Sequence, residues 1–293
     1  MNTRRLGDRQ VHPIGVGAMW LSLLPGRPAR HDAIATLHAA LDHGATLIDT
    51  ADAYALDATE MGHNERLVAE AIRRWEGDRD GVVVASKGGH VRDTAGGWSL
   101  NGSADHLRVA CERSREALGV QRIDLYYLHR PDPDRPFEDG VEALAGLQAD
   151  GLIANIGLSN VTVEQIRSAE RICRIAAVQN EFSPRFRRSR VELEYCTTEG
   201  IAFLPWRALG GINDAEMRRR LYGPFDEVAR SHEVSPQQIA LAWVLRQAGN
   251  VIAIPGMTRP ATAADSLRAA TIHLTDAELR TLDRTPHPDV ASD

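Results

Sequence analysis

Four polar side chains that could act together on a proton are spread through the first half of the chain: Asp49, Tyr54, Lys87 and His129. A carboxylate beside a lysine keeps the ammonium charged, and an ammonium beside a tyrosine favours the phenolate and lowers the pKa of the phenol. A tyrosine with such neighbours can donate a proton to a developing alkoxide or accept one in reverse. A nearby histidine would hydrogen-bond a carbonyl oxygen and fix its direction. These four residue types therefore suit chemistry at a carbonyl group.

None of the four is an obvious covalent nucleophile, so the electrons have to come from a bound hydride donor, because cofactors carry that step. Ser159, Asn160 and Gln179 offer hydroxyl and amide partners for a carboxamide, and Trp206 offers an indole face on which a flat ring can stack. This combination predicts a bound nicotinamide. The dinucleotide fingerprint GxGxxG is incomplete near the first strand, where GVGAMW lacks the third glycine.

Taken one at a time, these residues have ordinary structural interpretations. An aspartate before a turn, such as Asp49, is usually a cap or an Asx-turn. Tyr54 alone would be a rim aromatic, and Lys87 alone a solvated loop lysine. Ser159 and Asn160 could be no more than a helix N-cap. These interpretations weaken only if the residues meet at one end of one fold.

The secondary-structure elements that would position these residues can be predicted from the hydrophobic pattern. Short β-branched runs alternate with longer amphipathic stretches along the chain. Eight apolar runs between Ile14 and Pro255 are typical of strands, and each is followed by a helical pattern. Strands separated by helices pair in parallel and carry helices on their faces. We therefore predict an α/β fold, a (β/α)8 barrel in a single domain spanning residues 1–293, with a short N-terminal β-hairpin in RRLGDRQVHPIGVGAM. A doubly wound sheet is the alternative.

The predicted helices cover residues 31–43, 64–75, 103–118, 137–149, 163–173, 189–199 and 236–247. In a barrel, active groups project from the carboxyl ends of the strands and from the loops that follow. Asp49, Lys87, His129 and Gln179 each come at such a strand end. We therefore expect a pocket at this rim.

Composition limits the class of protein. Hydrophobic residues make up 43% and charged residues 25% of the chain, the net charge is -6, and scattered basic residues give no nucleic-acid footprint. No apolar run approaches the ~18 residues of a membrane helix. Cys111, Cys173 and Cys196 lie far apart and are expected to be buried free thiols of a cytoplasmic protein, and the histidines show no metal motif. The oligomeric state stays open.

Over nearly its whole length the sequence resembles the aldo-keto reductase superfamily. The motifs that carry the resemblance are, in chain order, RRLG…IGVGAM, LIDTADAY, NERLVAEAI, SKGG, RIDLYYLHRPD, IGLSN, VQNEFSP, SPQQIALAWVLRQ and IPGMTRP. Each is weak alone, whereas their order and spacing are specific. The resemblance implies a catalytic tetrad in which Tyr54 is the general acid, Asp49 and Lys87 tune it, and His129 orients the carbonyl. The histidine implies C=O reduction, because relatives that reduce a C=C bond can carry glutamate there.

The resemblance also implies where a dinucleotide binds: at the end of the first strand, at carboxamide partners, at a stacking aromatic, under a pyrophosphate loop and at an adenosine end. In that order, the positions are Gly17, Ala18 and Met19, then Ser159, Asn160 and Gln179, then Trp206, then Arg207, Leu209 and Gly211, then Gly256, Met257, Thr258, Arg259, Asp265 and Ser266.

Several positions depart from the family pattern. Ala55 stands where glycine commonly follows the tyrosine, and Arg207 replaces a frequent serine, bringing a charge toward the phosphates. Thr262 sits where some relatives have an arginine for the 2′-phosphate, and Ser266 where asparagine is common. Arg259 could supply the positive charge instead, because a guanidinium fits phosphate bidentately. We therefore expect NADPH in preference to NADH, although NADH stays possible.

The loops should set the substrate, and the glycine-bearing segment HVRDTAGGWSLN is expected to be one of them. Trp20 and Trp98 are expected to form apolar walls, and Phe182 or Arg185 to border the entrance. An aldehyde or ketone with an apolar or ring portion fits, and pyridoxal-type, sugar and polyketide carbonyls all stay open. Two other functions also stay open, a nucleotide-sensing regulatory subunit with little turnover and alcohol dehydrogenation as the physiological direction.

Overall fold

The computed structural model describes residues 3–210 and 215–285, and of residues 215–222 it describes the backbone only. The described part begins with an antiparallel hairpin of β1 (Arg4–Leu6) and β2 (Arg9–Val11), which confirms the expected N-terminal hairpin. The later strands follow in chain order. They are β3 (Val16–Gly17), β4 (Leu47–Asp49), β5 (Val83–Gly88), β6 (His90–Arg92), β7 (Trp98–Leu100), β8 (Ile123–Leu128), β9 (Ile153–Ser159), β10 (Ile175–Gln179) and β11 (Ala202–Phe203).

Seven of these strands form one curled parallel sheet in the spatial order β11-β10-β9-β8-β5-β4-β3. The connection between each pair of successive sheet strands contains an α-helix, as parallel pairing requires. The structure thus confirms an α/β fold. The helices are α1 (Arg30–Asp42), α2 (His63–Arg74), α3 (Ala104–Leu118), α4 (Phe137–Ala149), α5 (Val163–Glu170), α6 (Arg190–Glu199), α7 (Ala215–Ser231), α8 (Pro236–Leu245), α9 (Pro260–Arg268) and α10 (Asp276–Asp283).

Local sequence explains where several helices begin. The hydroxyl of Ser103 accepts a hydrogen bond from the backbone N–H of His106, which caps α3. Thr162, Ser235 and Thr275 each form a capping box at the start of α5, α8 and α10. The predicted helices agree with α1 to α6 and α8 to within three residues at each end.

The segment 251–256 lies between the two edges of the sheet. The run VIAIP within it predicts a strand, but only isolated parallel bridges form, pairing Val251 with Phe203 on one edge and Gly256 with Gly17 on the other. The N–H of Gly17 donates to the carbonyl of Pro255 at 3.0 Å. Pro255 has no N–H of its own to continue the ladder, which accounts for the interrupted pairing.

A second difference from the sequence prediction concerns residues 90–100, which were expected to be a loop. They contain the antiparallel hairpin of β6 and β7, separate from the main sheet. Its turn is held by the carboxylate of Asp93, which accepts hydrogen bonds from the N–H groups of Ala95 at 2.8 Å and Gly97 at 2.7 Å. The hairpin lies directly after the strand that carries Lys87.

The inner face of the sheet is apolar at one end and polar at the other. Side chains alternate between faces along a strand, so Leu47 and Asp49 share a face, as do Ala85 and Lys87. Leu47 and Ala85 belong to an inner apolar cluster that also contains Leu6, from the N-terminal hairpin. The hairpin therefore covers the apolar end, and Asp49 and Lys87 lie toward the opposite rim.

In the described part of the chain, no helix has both the length and the apolar character needed to cross a membrane.

Candidate active site

Lys87 is the centre of a buried hydrogen-bond network at the carboxyl ends of β4 and β5. Its side chain is fully buried, and its Nζ donates to Asp49 Oδ1 at 2.5 Å, to the carbonyl of Thr50 at 2.8 Å and to Tyr54 Oη at 3.0 Å. An ammonium has three hydrogens to donate, so all of them are used. The second oxygen of Asp49 accepts a hydrogen bond from Gln179 Nε2 at 2.8 Å. The buried carboxylate is therefore paired on both oxygens, which offsets the cost of its burial.

The charges of this network are set by burial and by the ion pair. Burial lowers the pKa of Lys87, but the nearby Asp49 and Tyr54 outweigh that effect and raise it above the ordinary value, so the ammonium stays charged. The pKa of Tyr54 is raised, because burial outweighs the attraction of the Lys87 ammonium. The expectation that Lys87 would bring this pKa below its ordinary value is therefore wrong. At neutral pH Tyr54 is a protonated phenol hydrogen-bonded to a cation.

His129 lies just beyond the end of β8, beside Tyr54. The centroids of the two rings are 5.7 Å apart and their planes meet at 77°, an edge-to-face contact. The backbone holds the histidine at both ends, since its N–H donates to the carbonyl of Gly88 at 2.9 Å and its carbonyl accepts from Asn160 Nδ2 at 3.1 Å. Burial, and then the charges of His90 and Lys87, hold the pKa of His129 well below its usual range. The imidazole is therefore neutral.

The structure thus brings Asp49, Tyr54, Lys87 and His129 together at one rim. Three further residues expected at this rim form a chain beside them. Ser159 Oγ donates to the carbonyl of Gln179 at 2.9 Å, and Asn160 Nδ2 donates to Ser159 Oγ at 3.0 Å. Asn160 adopts a left-handed backbone conformation with φ of 60°, which asparagine tolerates better than most residues.

A cleft of about 1130 Å³ opens next to this rim, between the segment after β3, the segment after β11 and the start of α9. Six of the expected site residues line it. They are Trp20, Arg207, Leu209, Gly256, Thr258 and Arg259. Trp20 packs so closely on Gly256 that a Cβ at that position would clash with the indole, which explains the glycine. Trp20 is therefore a wall of this cleft.

Arginines give the cleft a basic lining. Arg27, Arg185, Arg207 and Arg259 line it, whereas Asp32 is its only acidic lining residue in the described part of the chain. Arg27 forms a bidentate ion pair with Glu60, in which its Nη1 and Nη2 donate to the two carboxylate oxygens at 2.7 and 2.9 Å. The Nε of Arg185 is buried and has no partner within the described residues. A cleft of this size and charge fits a dinucleotide and its phosphate groups.

The remaining expected cofactor residues lie around the cleft or outside the described residues. The N–H of Ala18 donates to the carbonyl of Asp49 at 2.9 Å, which links the first strand to the tetrad. Met257 is 1% exposed, and Asp265 accepts a hydrogen bond from Ser235 Oγ at 2.7 Å. The other expected positions are Gly17 at the end of β3, Met19 at the start of a short 3-10 helix, Trp206 just before Arg207, and Ser266 on α9. Gly211 lies outside the described residues.

Two expectations about the substrate entrance have different outcomes. Phe182 is fully buried and stacks on Trp243, with ring centroids 5.9 Å apart, so it does not border an entrance. Trp98 is 45% exposed on β7 and contacts His90, which in turn lies beside His129. Trp98 is thus placed near the tetrad, and Trp20 near the cleft.

The sequence reasoning missed Asn64, at the start of α2. This residue is fully buried and joins three segments: its Nδ2 donates to the carbonyl of Ala18 at 2.9 Å and to Ser22 Oγ at 2.7 Å, and its Oδ1 accepts from Thr50 Oγ1 at 2.6 Å. The motif NERLVAEAI contains it, but an asparagine before an apolar helical pattern is typical of a cap. Nothing in the pattern indicates partners more than 40 residues away.

Asp52 and Glu65, for which the sequence pattern predicts no role, are also buried in this region. Asp52 is 4% exposed and Glu65 is 1% exposed. Burial, and then the charge of Glu65, raise the pKa of Asp52 well above its ordinary value, and burial also raises the pKa of Glu65. The three cysteines are free thiols; Cys111 and Cys196 are buried as expected, whereas Cys173 is only partly buried, so that part of the expectation is wrong. Within the described residues, no group of three or more His, Cys, Asp or Glu side chains is arranged to hold a metal ion.

Comparison with known proteins places this geometry in context. The family model described as the aldo/keto reductase family matches residues 13–285. An uncharacterised oxidoreductase of Schizosaccharomyces pombe is 34% identical over 96% of this chain and 89% of its own length. Pyridoxine 4-dehydrogenase of Escherichia coli is 32% identical over 96% of this chain and 97% of its own length.

A solved structure gives the same result for the fold. An aldo/keto reductase from Klebsiella pneumoniae, in complex with NADP and acetate, superposes with a TM-score of 0.80 and 28% sequence identity, covering 97% of this chain and 94% of that one.

Proposed function

This chain belongs to the aldo/keto reductase family, and we propose that it reduces an aldehyde or ketone to the alcohol with hydride from NADPH. The observation that carries the proposal is the set of contacts around Lys87, whose Nζ hydrogen-bonds both Asp49 and Tyr54, with the His129 ring against Tyr54. A phenol held by an ammonium beside a neutral imidazole offers two donors to one oxygen atom.

In the proposed mechanism, Tyr54 is the general acid. His129 donates a hydrogen bond to the carbonyl oxygen of the substrate and directs it toward the Tyr54 hydroxyl. The bound nicotinamide supplies the hydride. As negative charge grows on the oxygen, Tyr54 Oη gives up its proton, and the Lys87 ammonium at 3.0 Å stabilises the phenolate that remains. Asp49 keeps Lys87 charged and in place.

The choice of NADPH rests on the basic cleft and on a relative. The aldo/keto reductase from Klebsiella pneumoniae contains NADP, and the cleft here is lined by four arginines. We assign Arg259 to the 2′-phosphate, and Arg207 and Leu209, together with Gly211, to the pyrophosphate. Trp206 would stack on the nicotinamide, Ser159, Asn160 and Gln179 would hold its carboxamide, and Gly17, Ala18 and Met19 would contact it through backbone groups. Gly256, Met257, Thr258, Asp265 and Ser266 would form the adenosine end.

The direct test follows NADPH oxidation with a panel of aldehydes and ketones that includes pyridoxal. Consumption of NADPH with at least one carbonyl, and its loss in Tyr54→Phe, is expected. Tight NADPH binding without consumption by any carbonyl would instead support a nucleotide-sensing subunit.

Alcohol oxidation is a second candidate for the physiological direction. The relative from Escherichia coli is named as a dehydrogenase, and the same residues serve both directions. In oxidation, the Tyr54 phenolate would accept the proton of the alcohol. Measuring initial rates in both directions at neutral pH, with NADPH and carbonyl or with NADP and alcohol, separates the two.

We also propose that segment 251–256 acts as the eighth strand and closes the sheet into a (β/α)8 barrel. The N–H groups of Gly15 and Ile252 donate to carbonyls of Ala253 and Phe203, at 2.8 and 3.0 Å. These two amide hydrogens should exchange with solvent as slowly as those of β9. Fast exchange would mean that the sheet is open at this seam. Assignment of the whole chain to one domain stays a prediction.

A further inference from the structure

A second large cavity, the interhelical cavity, lies between α2 and α3 and has a volume of about 600 Å³. Apolar side chains from both helices and from the segment before α2 form its walls: Met61, Ala69, Val109, Ala110 and Ala117. Among the described residues, it shares no lining residue with the basic cleft, and no member of the tetrad lines it. The interhelical cavity is therefore separate from the candidate active site.

Two buried acids, Asp52 and Glu65, form the floor of the interhelical cavity. The Oδ1 atom of Asp52 is buried and has no hydrogen-bond partner within the described residues. Neither acid forms an ion pair in this part of the chain. Burial raises the pKa of both carboxyl groups, because water does not reach their negative charge. A buried polar atom without a partner indicates a bound ligand or water, and buried carboxylates favour a ligand that is positively charged.

Hydrogen bonds to neighbouring segments hold the two acids in place. The carbonyl of Asp52 accepts from the N–H of Gly62 at 2.8 Å, and the N–H of Asp52 donates to the carbonyl of Lys87 at 3.4 Å. Glu65 Oε1 accepts a hydrogen bond from the hydroxyl of Ser86, the residue directly before Lys87. A floor that is fixed before binding loses little conformational freedom when a ligand arrives, which favours affinity.

Arginines form the rim of the interhelical cavity. Arg66, Arg73 and Arg113 are exposed at its edge, whereas Glu116 is the one exposed acid among its described lining residues. Glu70 also lines the cavity, but it is buried and paired with two arginines that do not line it. Arg73 and Arg113 form no ion pair within the described residues. Guanidinium groups bind carboxylates bidentately, so this rim favours an anionic group.

We infer that the interhelical cavity binds a small zwitterion, an amino acid whose ammonium lies at Asp52 and Glu65 and whose carboxylate lies at the rim arginines. The apolar walls suit the carbon chain between the two charged ends. A metal ion does not fit, because the cavity is much larger than one ion and no group of three or more His, Cys, Asp or Glu side chains in the described part of the chain is arranged to hold one. The inference does not depend on the proposed function, since the site is separate from the tetrad.

Isothermal titration calorimetry tests both ends of the ligand. The probes are the ω-amino acids from glycine to 6-aminohexanoate, each compared with the alkylammonium and the carboxylate of the same chain length. At least one amino acid should bind about 10- to 100-fold more tightly than either single-charge counterpart, the value of one or two charge-assisted hydrogen bonds. Asp52→Asn, which keeps the shape of the side chain without its charge, should weaken that amino acid by the same factor. Arg113→Gln should also weaken it but leave the affinity for the alkylammonium unchanged.

Two control variants should leave the affinity for the amino acid unchanged. Glu112→Gln removes an exposed acid of α3 that does not line the cavity, and Arg259→Ala removes a cation from the basic cleft. The inference would be overturned if no amino acid bound saturably, or if binding were lost in Arg259→Ala and kept in Asp52→Asn. If Asp52→Asn does not fold, Arg113→Gln decides, and an unchanged affinity there would refute the site. NADPH oxidation tests the proposed function independently, so either can fail without the other.

Discussion

At the scale of single residues, the site is governed by one ammonium with three fixed acceptors. Lys87 is buried among Asp49, the Thr50 carbonyl and Tyr54, so its charge is stabilised by direct contacts where solvent cannot reach it. Such pre-positioned charge is worth more than charge in water, because no reorganisation is needed when the substrate oxygen becomes negative. Burial raises the pKa of Tyr54 and keeps it protonated, and in the proposed reaction it would lose its proton to the substrate oxygen as that oxygen becomes negative.

Replacement of Tyr54 by phenylalanine should therefore remove the acid and leave the pocket. We expect Tyr54→Phe to lower kcat by roughly 10²- to 10⁴-fold, the usual worth of a positioned proton donor, with little change in NADPH affinity. Stopped-flow or steady-state oxidation of NADPH measures the rate, and tryptophan fluorescence measures binding. The matched control is Tyr195→Phe, which removes a hydroxyl on α6 that donates to Glu170, the last residue of α5. Near-normal turnover in Tyr54→Phe would remove Tyr54 from its proposed role.

His90 should make the stability of the fold depend on pH. Its pKa is about 4 in the folded state, below the ordinary value near 6.5, so the unfolded chain binds the proton more strongly. The stability from the buried neutral ring is complete above about pH 6.5 and is lost as the pH falls toward 4. Urea unfolding can be measured at several pH values in this range. The free energy of unfolding should fall less steeply with decreasing pH in His90→Phe than in the wild type. Identical slopes would show that the imidazole titrates normally in the fold.

At the scale of elements, the first turn of α2 ties the end of β4 to the segment that follows β3. Asn64 makes all three of its contacts with groups outside its own helix, on Ala18, Ser22 and Thr50. The Thr50 carbonyl is itself an acceptor for Lys87. One amide thus couples the position of the lysine to the position of the loop that begins the cleft.

Asn64→Leu should expose this coupling. It leaves the buried Thr50 hydroxyl without its acceptor and takes one of two partners from the Ala18 carbonyl and from Ser22 Oγ. The free energy of unfolding should therefore fall by about 1–3 kcal/mol, and NADPH affinity should fall with it. The matched control is Asn155→Leu, which removes an amide bonded to Asp8 and to the Asp124 carbonyl at the opposite end of the sheet. That variant should lose stability without losing NADPH affinity at temperatures where it is folded. Parallel losses in both variants would contradict a specific role for Asn64.

The same elements show what sequence can predict. Helix positions followed from period and caps, because those signals are local. The meeting of Asp49, Lys87 and His129 followed from their places at strand ends, because parallel strands bring their carboxyl ends to one rim. The grouping of Tyr54 with them as a catalytic tetrad came from the family resemblance and stays a prediction. Asn64 and His90 could not be found in this way, since their partners depend on where distant segments meet. The β6–β7 hairpin was also missed, because its strands are three residues long and its sequence is rich in turn formers.

At the scale of the whole molecule, charge is unevenly distributed. The chain has a net charge of -6, yet the large cleft is lined by four arginines and one aspartate of the described residues. Long-range repulsion from the rest of the surface is screened within about 10 Å at 0.1 M salt. Arg27 and Arg207 are paired with Glu60 and Glu181, so Arg185 and Arg259 supply most of the positive charge that an anionic ligand meets at the cleft.

Arg259→Ala should distinguish the two dinucleotides. We expect NADPH affinity to fall about 10- to 100-fold, the value of one or two charge-assisted hydrogen bonds, and NADH affinity to change little, because only NADPH has the 2′-phosphate. Fluorescence titration with each dinucleotide measures both. Arg108→Ala removes an arginine from α3 and controls for net charge. Equal losses for NADPH and NADH would show that Arg259 does not contact the 2′-phosphate.

The burial of Lys87 has a consequence for chemical labelling, because this residue is the only lysine among the 293 residues. Lysine-directed acylating reagents have one side-chain target in the sequence, and its nitrogen is enclosed, protonated and fully bonded. In the folded protein this lysine should resist such reagents, and it should acquire an acyl group only when the fold opens. Mass spectrometry of that one adduct would then measure how often the catalytic centre unfolds, without any engineered label.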